Sequence, residues 1–283
     1  MEVFDGARFV RLRCVERRGK YAAADVDGFS VCLSGQRRTH NTVWAVEHAQ
    51  GPDGPSVLLR SAYGRYLFAI AFPAYMGTGS PQPPVLAAQS DLEQDVPPPG
   101  MLWQAVHRGG AFVLRCGLGR YLRANGRYRR WRREITIVED DHSTMMQWAI
   151  ENVPVKLTRP TIHDDILQLT HRHRSPATEA QMTRPIRAVQ CQNNGYINEA
   201  AWRVMEIRNN NLTHLRITLA SRFGLDFLAV TNTIVCIRAG RFGVFSPLHI
   251  DLPIANNGID LVLITHGTLV GNSLVYPDLD APQ

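Results

Sequence analysis

The sequence predicts a mainly β protein in two parts: an N-terminal antiparallel module of three pseudo-repeats and a C-terminal α+β module. Three observations carry that expectation. A strand–glycine–tyrosine pattern occurs three times in the first half, a proline-bearing stretch interrupts it, and a ββαβββ succession follows Pro185. With 283 residues, 45% hydrophobic and 20% charged, the chain has the make-up of an ordinary packed globular protein.

The first repeat reads Val10-Arg11-Leu12-Arg13-Cys14, then Gly19-Lys20-Tyr21-Ala22-Ala23. The second is Leu58-Leu59-Arg60-Ser61 with Gly64-Arg65-Tyr66-Leu67, and the third Val113-Leu114-Arg115-Cys116 with Gly119-Arg120-Tyr121-Leu122. Each then reaches a tryptophan in apolar surroundings: Trp44, Trp103 and Trp148. Alternation at period 2 places Val10, Leu12 and Cys14 on one face of a strand. The glycine lets the chain turn, and the tyrosine begins the return strand with Lys20, Arg65 and Arg120 pointing outward. One such unit cannot bury its own apolar face, whereas three around a pseudo-threefold axis can. The expected architecture is a β-trefoil over residues 1–153 with the three tryptophans in its core. Between Tyr66 and Trp103 the stretch Phe72–Gly100 carries seven prolines and reads as a long exposed loop.

Residues 154–184 read as a linker, with one short helix around Ile166–Leu169. A second module is expected over 185–267. It opens with a strand at Ile186–Gln190, a turn at Asn193-Asn194-Gly195 and a return strand at Trp202–Ile207. Asn211 caps a helix with Leu212, Leu215 and Leu219 at i, i+3 and i+7, and Gly224 suits its end. Strands at Thr233–Arg238, Val244–Asp251 and Ile259–Thr265 complete the order of a ubiquitin-like roll. Residues 268–283 read as a polar tail without a diglycine end, which speaks against conjugation to other proteins.

Several function classes find no footing. No run of about 18 apolar residues occurs, so no membrane insertion is expected. The opening residues lack a basic and an apolar signal region, which points to the cytoplasm, with the nucleus as a second location. The five cysteines form no C-x-x-C pair and read as reduced, buried thiols. His163, Asp164, Asp165, His171 and His173 lie in the linker without a rigid scaffold, so no metal is assigned to them. Gly117-Leu118-Gly119 belongs to a hairpin turn rather than a nucleotide loop. No nucleophile–base or acid–base motif occurs, so the expectation is a protein that is not an enzyme and needs no cofactor. The sequon at Asn211 carries little meaning in a cytosolic chain.

The opening Met1-Glu2-Val3-Phe4-Asp5-Gly6-Ala7-Arg8-Phe9-Val10-Arg11-Leu12-Arg13 resembles the start of the plant actin-cross-linking-like family. The three Gly-Lys/Arg-Tyr turns, Arg123-Ala124-Asn125-Gly126 with Trp131-Arg132, and the segment from Ile234 to Pro253 are similar to it as well. The resemblance implies a fascin-like β-trefoil of unknown function followed by a ubiquitin-like domain. It also implies actin filaments as partner, and the ubiquitin-like domain as a docking point for other proteins.

This chain departs from the family in the basic run Arg127-Tyr128-Arg129-Arg130-Trp131-Arg132-Arg133, and also in the first turn, where Ala22 follows Tyr21 in place of the family's usual leucine. Net charge is +6, and of 31 Lys+Arg only Lys20 and Lys156 are lysine. Arg127, Tyr128, Arg129, Arg130, Arg132 and Arg133 are therefore the candidate partner-binding residues, with Trp131 read as packing. Arginine forks suit the carboxylates of an acidic filament; nucleic acid is the weaker partner, and a solvated loop beside Glu139-Asp140-Asp141 is the plain alternative. Gly19, Tyr21, Trp44, Gly64, Tyr66, Trp103, Gly119, Tyr121 and Trp148 are assigned to turns and core. Two other functions compete with actin binding: a carbohydrate-binding trefoil, which would repeat an exposed aromatic with Asp or Asn three times, and an adaptor working through the ubiquitin-like domain.

Overall fold

The computed structural model describes residues 1–73, 85–92, 96–125, 133–139, 142–159, 183–208, 210–225, 232–239, 243–254 and 258–282. The chain divides into two compact units, Met1–Val155 with Pro277–Gln283, and Lys156–Tyr276.

Each repeat of the first unit supplies four strands. They are β1 (Phe9–Cys14), β2 (Tyr21–Ala24), β3 (Val31–Ser34) and β4 (Trp44–Gly51); β5 (Gly54–Arg60), β6 (Tyr66–Pro73), β7 (Val85–Ser90) and β8 (Trp103–Arg108); and β9 (Ala111–Cys116), β10 (Tyr121–Ala124), β11 (Ile135–Val138) and β12 (Gln147–Val153). The first and last strand of every repeat form a closed antiparallel barrel in the order β1, β4, β5, β8, β9, β12 and back to β1. The hairpins β2–β3, β6–β7 and β10–β11 cap it. This is the β-trefoil that the repeats predicted.

The repeats superimpose in their hydrogen bonds. The amides of Cys14, Ser61 and Cys116 donate to the carbonyls of Lys20, Arg65 and Arg120 at 2.8, 2.7 and 2.8 Å. Between them Gly19, Gly64 and Gly119 take φ of 65°, 78° and 75°, the left-handed region that a side chain disfavours. Trp44, Trp103 and Trp148 are each fully buried, and each indole Nε1 donates to the carbonyl following the repeat tyrosine: Ala22, Leu67 and Leu122, at 3.1, 2.9 and 3.0 Å. A tryptophan here fills the barrel and also satisfies a buried carbonyl. Tyr21 and Tyr66 are buried and Tyr121 half-buried.

Two expectations need correction in this unit. The stretch Phe72–Gly100 is not all loop, because its proline-free window Val85–Ser90 is β7, with Val85, Ala87, Ala88 and Gln89 buried. A trefoil repeat requires that third strand to complete its four, and the prolines flank it; residues 74–84 and 93–95 lie outside the described residues. Arg65 does not point outward. It is 7% exposed, donates through Nη1 to the carbonyl of Gly28, and lies 3.2 Å from Asp91. The capping hairpins pack on one another, as the Ser30–Ala88 and Cys32–Glu134 bridges show, so a side chain turned away from the barrel meets the neighbouring repeat.

After the short β13 (Val155–Lys156), at the boundary of the two units, the second unit holds β14 (Arg184–Gln190), β15 (Arg203–Ile207), helix α1 (Leu212–Phe223), β16 (Thr233–Ala239), β17 (Val244–Pro247) and β18 (Ile259–Thr265). The sheet order is β15-β14-β18-β16-β17, with β14 and β18 parallel in the middle. Asn211 accepts from the His214 amide at 3.1 Å, and Gly224 ends the helix at φ 68°. Leu212, Leu215 and Leu219 pack onto Ile186, Ala188, Val235, Ile237, Leu261 and Leu263 on one sheet face. This is the ubiquitin-like roll.

The opposite sheet face corrects the polar tail over 268–283. Val189, Cys191, Ile234, Cys236, Val262 and Ile264 are apolar there too, and Val270, Leu274 and Tyr276 cover them. Those residues come from α2 (Leu269–Ser273), from Leu274 just after it and from the start of β19 (Tyr276–Pro277). Farther on, Leu279 joins Val43 and Val153 in the trefoil unit. The linker and its short helix fall on 160–182, outside the described residues.

Candidate functional site

The site is built at the tip of the third repeat, where β10 ends and the arginine-rich run begins. Asn125 is buried there; its amide donates to the Glu134 carbonyl at 3.1 Å, and its Oδ1 accepts from Thr136 Oγ1 at 3.2 Å. Arg123 Nη1 lies 3.5 Å from the same Oδ1. Asn125 thus fixes the take-off of the run by bonding to the strand on which the chain returns.

The first repeat comes to the same place. Arg17 Nη1 donates to the Asn125 carbonyl at 3.3 Å, across 108 residues of sequence. The Leu33 amide donates to the Arg133 carbonyl at 2.7 Å, which sets Arg133, exposed, against the end of β3. Lys20 reaches the adjoining turn: a Cβ on Gly35 would stand 3.0 Å from Lys20 Nζ. Arg17 and Arg123 thus meet at Asn125, Lys20 and the Arg133 backbone adjoin the end of β3, and the Glu134 backbone links the two places into one basic rim. Such a rim presents guanidinium and ammonium donors to an anionic surface.

Of the residues proposed from sequence, Arg127, Tyr128, Arg129, Arg130, Trp131 and Arg132 lie outside the described residues; Arg133 stands on the rim. The turn and core residues of the repeats occupy the positions described above. His163, Asp164, Asp165, His171 and His173 also lie outside the described residues. Sequence reasoning missed Arg17 and Lys20. The signal was present: four residues, Val15-Glu16-Arg17-Arg18, separate Cys14 from Gly19, where the other repeats have two. The longer, charged first hairpin reaches the third repeat.

A family model for a β-trefoil domain of unknown function, DUF569, matches residues 1–151, more than half of the chain. The chain belongs to the DUF569 family. A second model, the ubiquitin-like domain associated with DUF569, matches residues 182–264. Among solved structures, the DUF569 trefoil is similar to part of a mosquitocidal holotoxin, at 10% identity and a TM-score of 0.41, over 54% of this chain and 18% of that one. A Polyporus squamosus lectin matches at 13% identity and 0.40, over 53% of this chain and 50% of its own. The designed threefold-symmetric protein ThreeFoil matches at 17% and 0.39, over 51% of this chain and 99% of its own. No curated protein matches the chain.

Proposed function

We propose that this DUF569 protein is a non-catalytic, cytoplasmic binding protein that attaches to actin filaments through its trefoil. The observation that supports this most directly is the meeting of Arg17, Lys20, Arg123 and Arg133 at the root of residues 126–132. The sequence adds Arg127, Arg129, Arg130 and Arg132 immediately beyond. A concentrated arginine rim pairs with surface carboxylates in forked geometry and draws an acidic polymer from a distance. The resemblance to actin-cross-linking-like proteins supplies the identity of that polymer. One trefoil offers one filament contact, so binding rather than bundling is the activity proposed, and the ubiquitin-like domain is left to engage a second protein.

Co-sedimentation with filamentous actin at two salt concentrations tests this reading. The expected result is pelleting at low salt that weakens as salt rises. Replacing Arg17, Arg129, Arg130 and Arg133 by alanine reduces pelleting and flattens its salt dependence, with an unchanged melting curve. Absence of pelleting at low salt overturns actin as the partner, and unchanged pelleting of the variant removes the rim.

A further inference from the structure

Arg11 in β1 is 1% exposed, a position that a charged side chain occupies only with partners. Its Nη2 donates to the carbonyl of Leu279 at 3.2 Å. Arg37, from the loop after β3, places Nη1 and Nη2 on the carbonyl of Ala281 at 3.3 and 3.2 Å. The Leu279 side chain fills a socket of Val43 and Val153, with Phe9 beside it. The Asp278 amide donates to the Pro154 carbonyl at 2.9 Å, and Asp280 lies 3.8 Å from Arg38 Nε on the exposed lip. Glu151 sits on the floor, 2.5 Å from Arg13 and 3.9 Å from Arg37. Burial, and then the charge of Arg37, lower the pKa of Arg11, as befits two like charges held together over one acceptor segment.

These features divide the labour of peptide recognition. Donors to main-chain carbonyls hold the backbone of a turn, a socket reads one side chain, and a basic lip favours acidic neighbours. We propose that this groove is a peptide-binding site for a turn-forming acidic–aliphatic segment of the Asp-Leu-Asp-small type, the conformation that the Asp280 amide sets by donating to Asp278 Oδ1 at 3.2 Å. Residues 278–281 occupy it in cis, and a partner protein presenting such a segment binds by displacing them. The contacts that hold residues 278–281 are carbonyl bonds, one apolar side chain and one solvated ion pair, and a partner of the same chemistry replaces each of them like for like. The groove uses Arg11, Arg37, Val43 and Val153, none of which contributes to the rim at Asn125, so different substitutions test peptide binding and actin binding.

The test uses the full chain and a fluorescein-labelled peptide of residues 276–283, read by anisotropy. Leu279→Asp removes the chain's own anchor, and the expected result is at least tenfold tighter peptide binding than by the unaltered protein. A peptide carrying the same Leu→Asp change does not bind, and adding Arg37→Ala to the Leu279→Asp chain weakens binding at least tenfold. Asp280→Lys, at an exposed position, is the milder variant should Leu279→Asp lose its cooperative melt, with at least threefold tighter binding expected. Folded variants that bind the peptide no better than the unaltered protein, or binding indifferent to Arg37→Ala, overturn the proposal.

Discussion

Glu151 of β12 accepts a 2.5 Å hydrogen bond from Arg13 Nε of β1, and the pair joins the last repeat of the trefoil to the first. The contact recurs between repeats one and two, where Arg60 Nε meets Glu47 Oε1 at 2.6 Å. In both, the arginine precedes the hairpin-closing residue and the glutamate stands three residues after the tryptophan. At the third junction Val106 occupies the glutamate's place. Arg115, opposite Gln104 in the β8–β9 register, pairs instead with Asp53 at 3.1 Å.

Val106→Glu therefore completes the threefold set. Val106 is 40% exposed, so little apolar burial is lost, and a diagonal ion pair at the surface contributes about 0.3–1 kcal/mol. A small rise in melting temperature is expected. Glu47→Gln acts in the other direction, by about 1–2 kcal/mol, because Arg60 Nε and the Tyr66 hydroxyl, 2.7 Å from Oε2, both lose a charged acceptor. Equal melting of all three proteins would sink this account of the junctions.

The tryptophans separate packing from hydrogen bonding. Trp103→Phe keeps most of the ring but leaves the Leu67 carbonyl without its donor, at about 1–3 kcal/mol. Trp103→Ala also opens a cavity and costs about 3–5 kcal/mol. The same ordering is expected at Trp44 and Trp148, measured by urea unfolding. A Trp103→Phe variant as stable as the unaltered protein would show that the bond to Leu67 contributes nothing.

Asp251 gives the ubiquitin-like unit a pH dependence. Burial raises its pKa, and the Leu212 amide, donating to Oδ1 at 2.8 Å, opposes that rise. A carboxyl with a raised folded pKa binds more protons folded than unfolded just above the ordinary Asp range. Its contribution to stability accordingly falls as pH rises through that window. Asp251→Asn keeps an acceptor for the Leu212 amide without the charge, so the variant melts higher at pH 7 and no higher at about pH 3. The reverse order at pH 7 would mean that the helix N-terminus outweighs burial.

The thiols are graded by depth. Cys14, Cys116, Cys191 and Cys236 are buried and Cys32 is half-buried, and burial raises the pKa of Cys14, Cys191 and Cys236. Iodoacetamide labelling followed by mass spectrometry should find Cys32 modified first and Cys236 only after unfolding. Native labelling of Cys236 at the rate of Cys32 contradicts its place in the sheet.

Much of this fold was legible because its signals are local. Alternating Val10, Leu12 and Cys14, the glycine before each tyrosine, the recurring tryptophan and the i, i+3, i+7 leucines of α1 each report a face to be buried within a few residues. Repeated three times, the first set could close only as a trefoil. The sequence by itself thus determined the repeated strands of the trefoil and the main strands and helix of the second unit, their order and their inward side, but not β7, α2 or β19, which carry no such repeated or periodic signal. It could not tell what covers the other side. Arg65 reads as solvent-facing, yet it lies beneath the neighbouring hairpin, and Arg11, between the inward Val10 and Leu12, lies beneath residue 279. Arg17 reaches Asn125 only because the first and third repeats adjoin in space. Those contacts span 268, 37 and 108 residues. A second layer of burial arises where surfaces meet, and only the tertiary structure decides which surfaces those are.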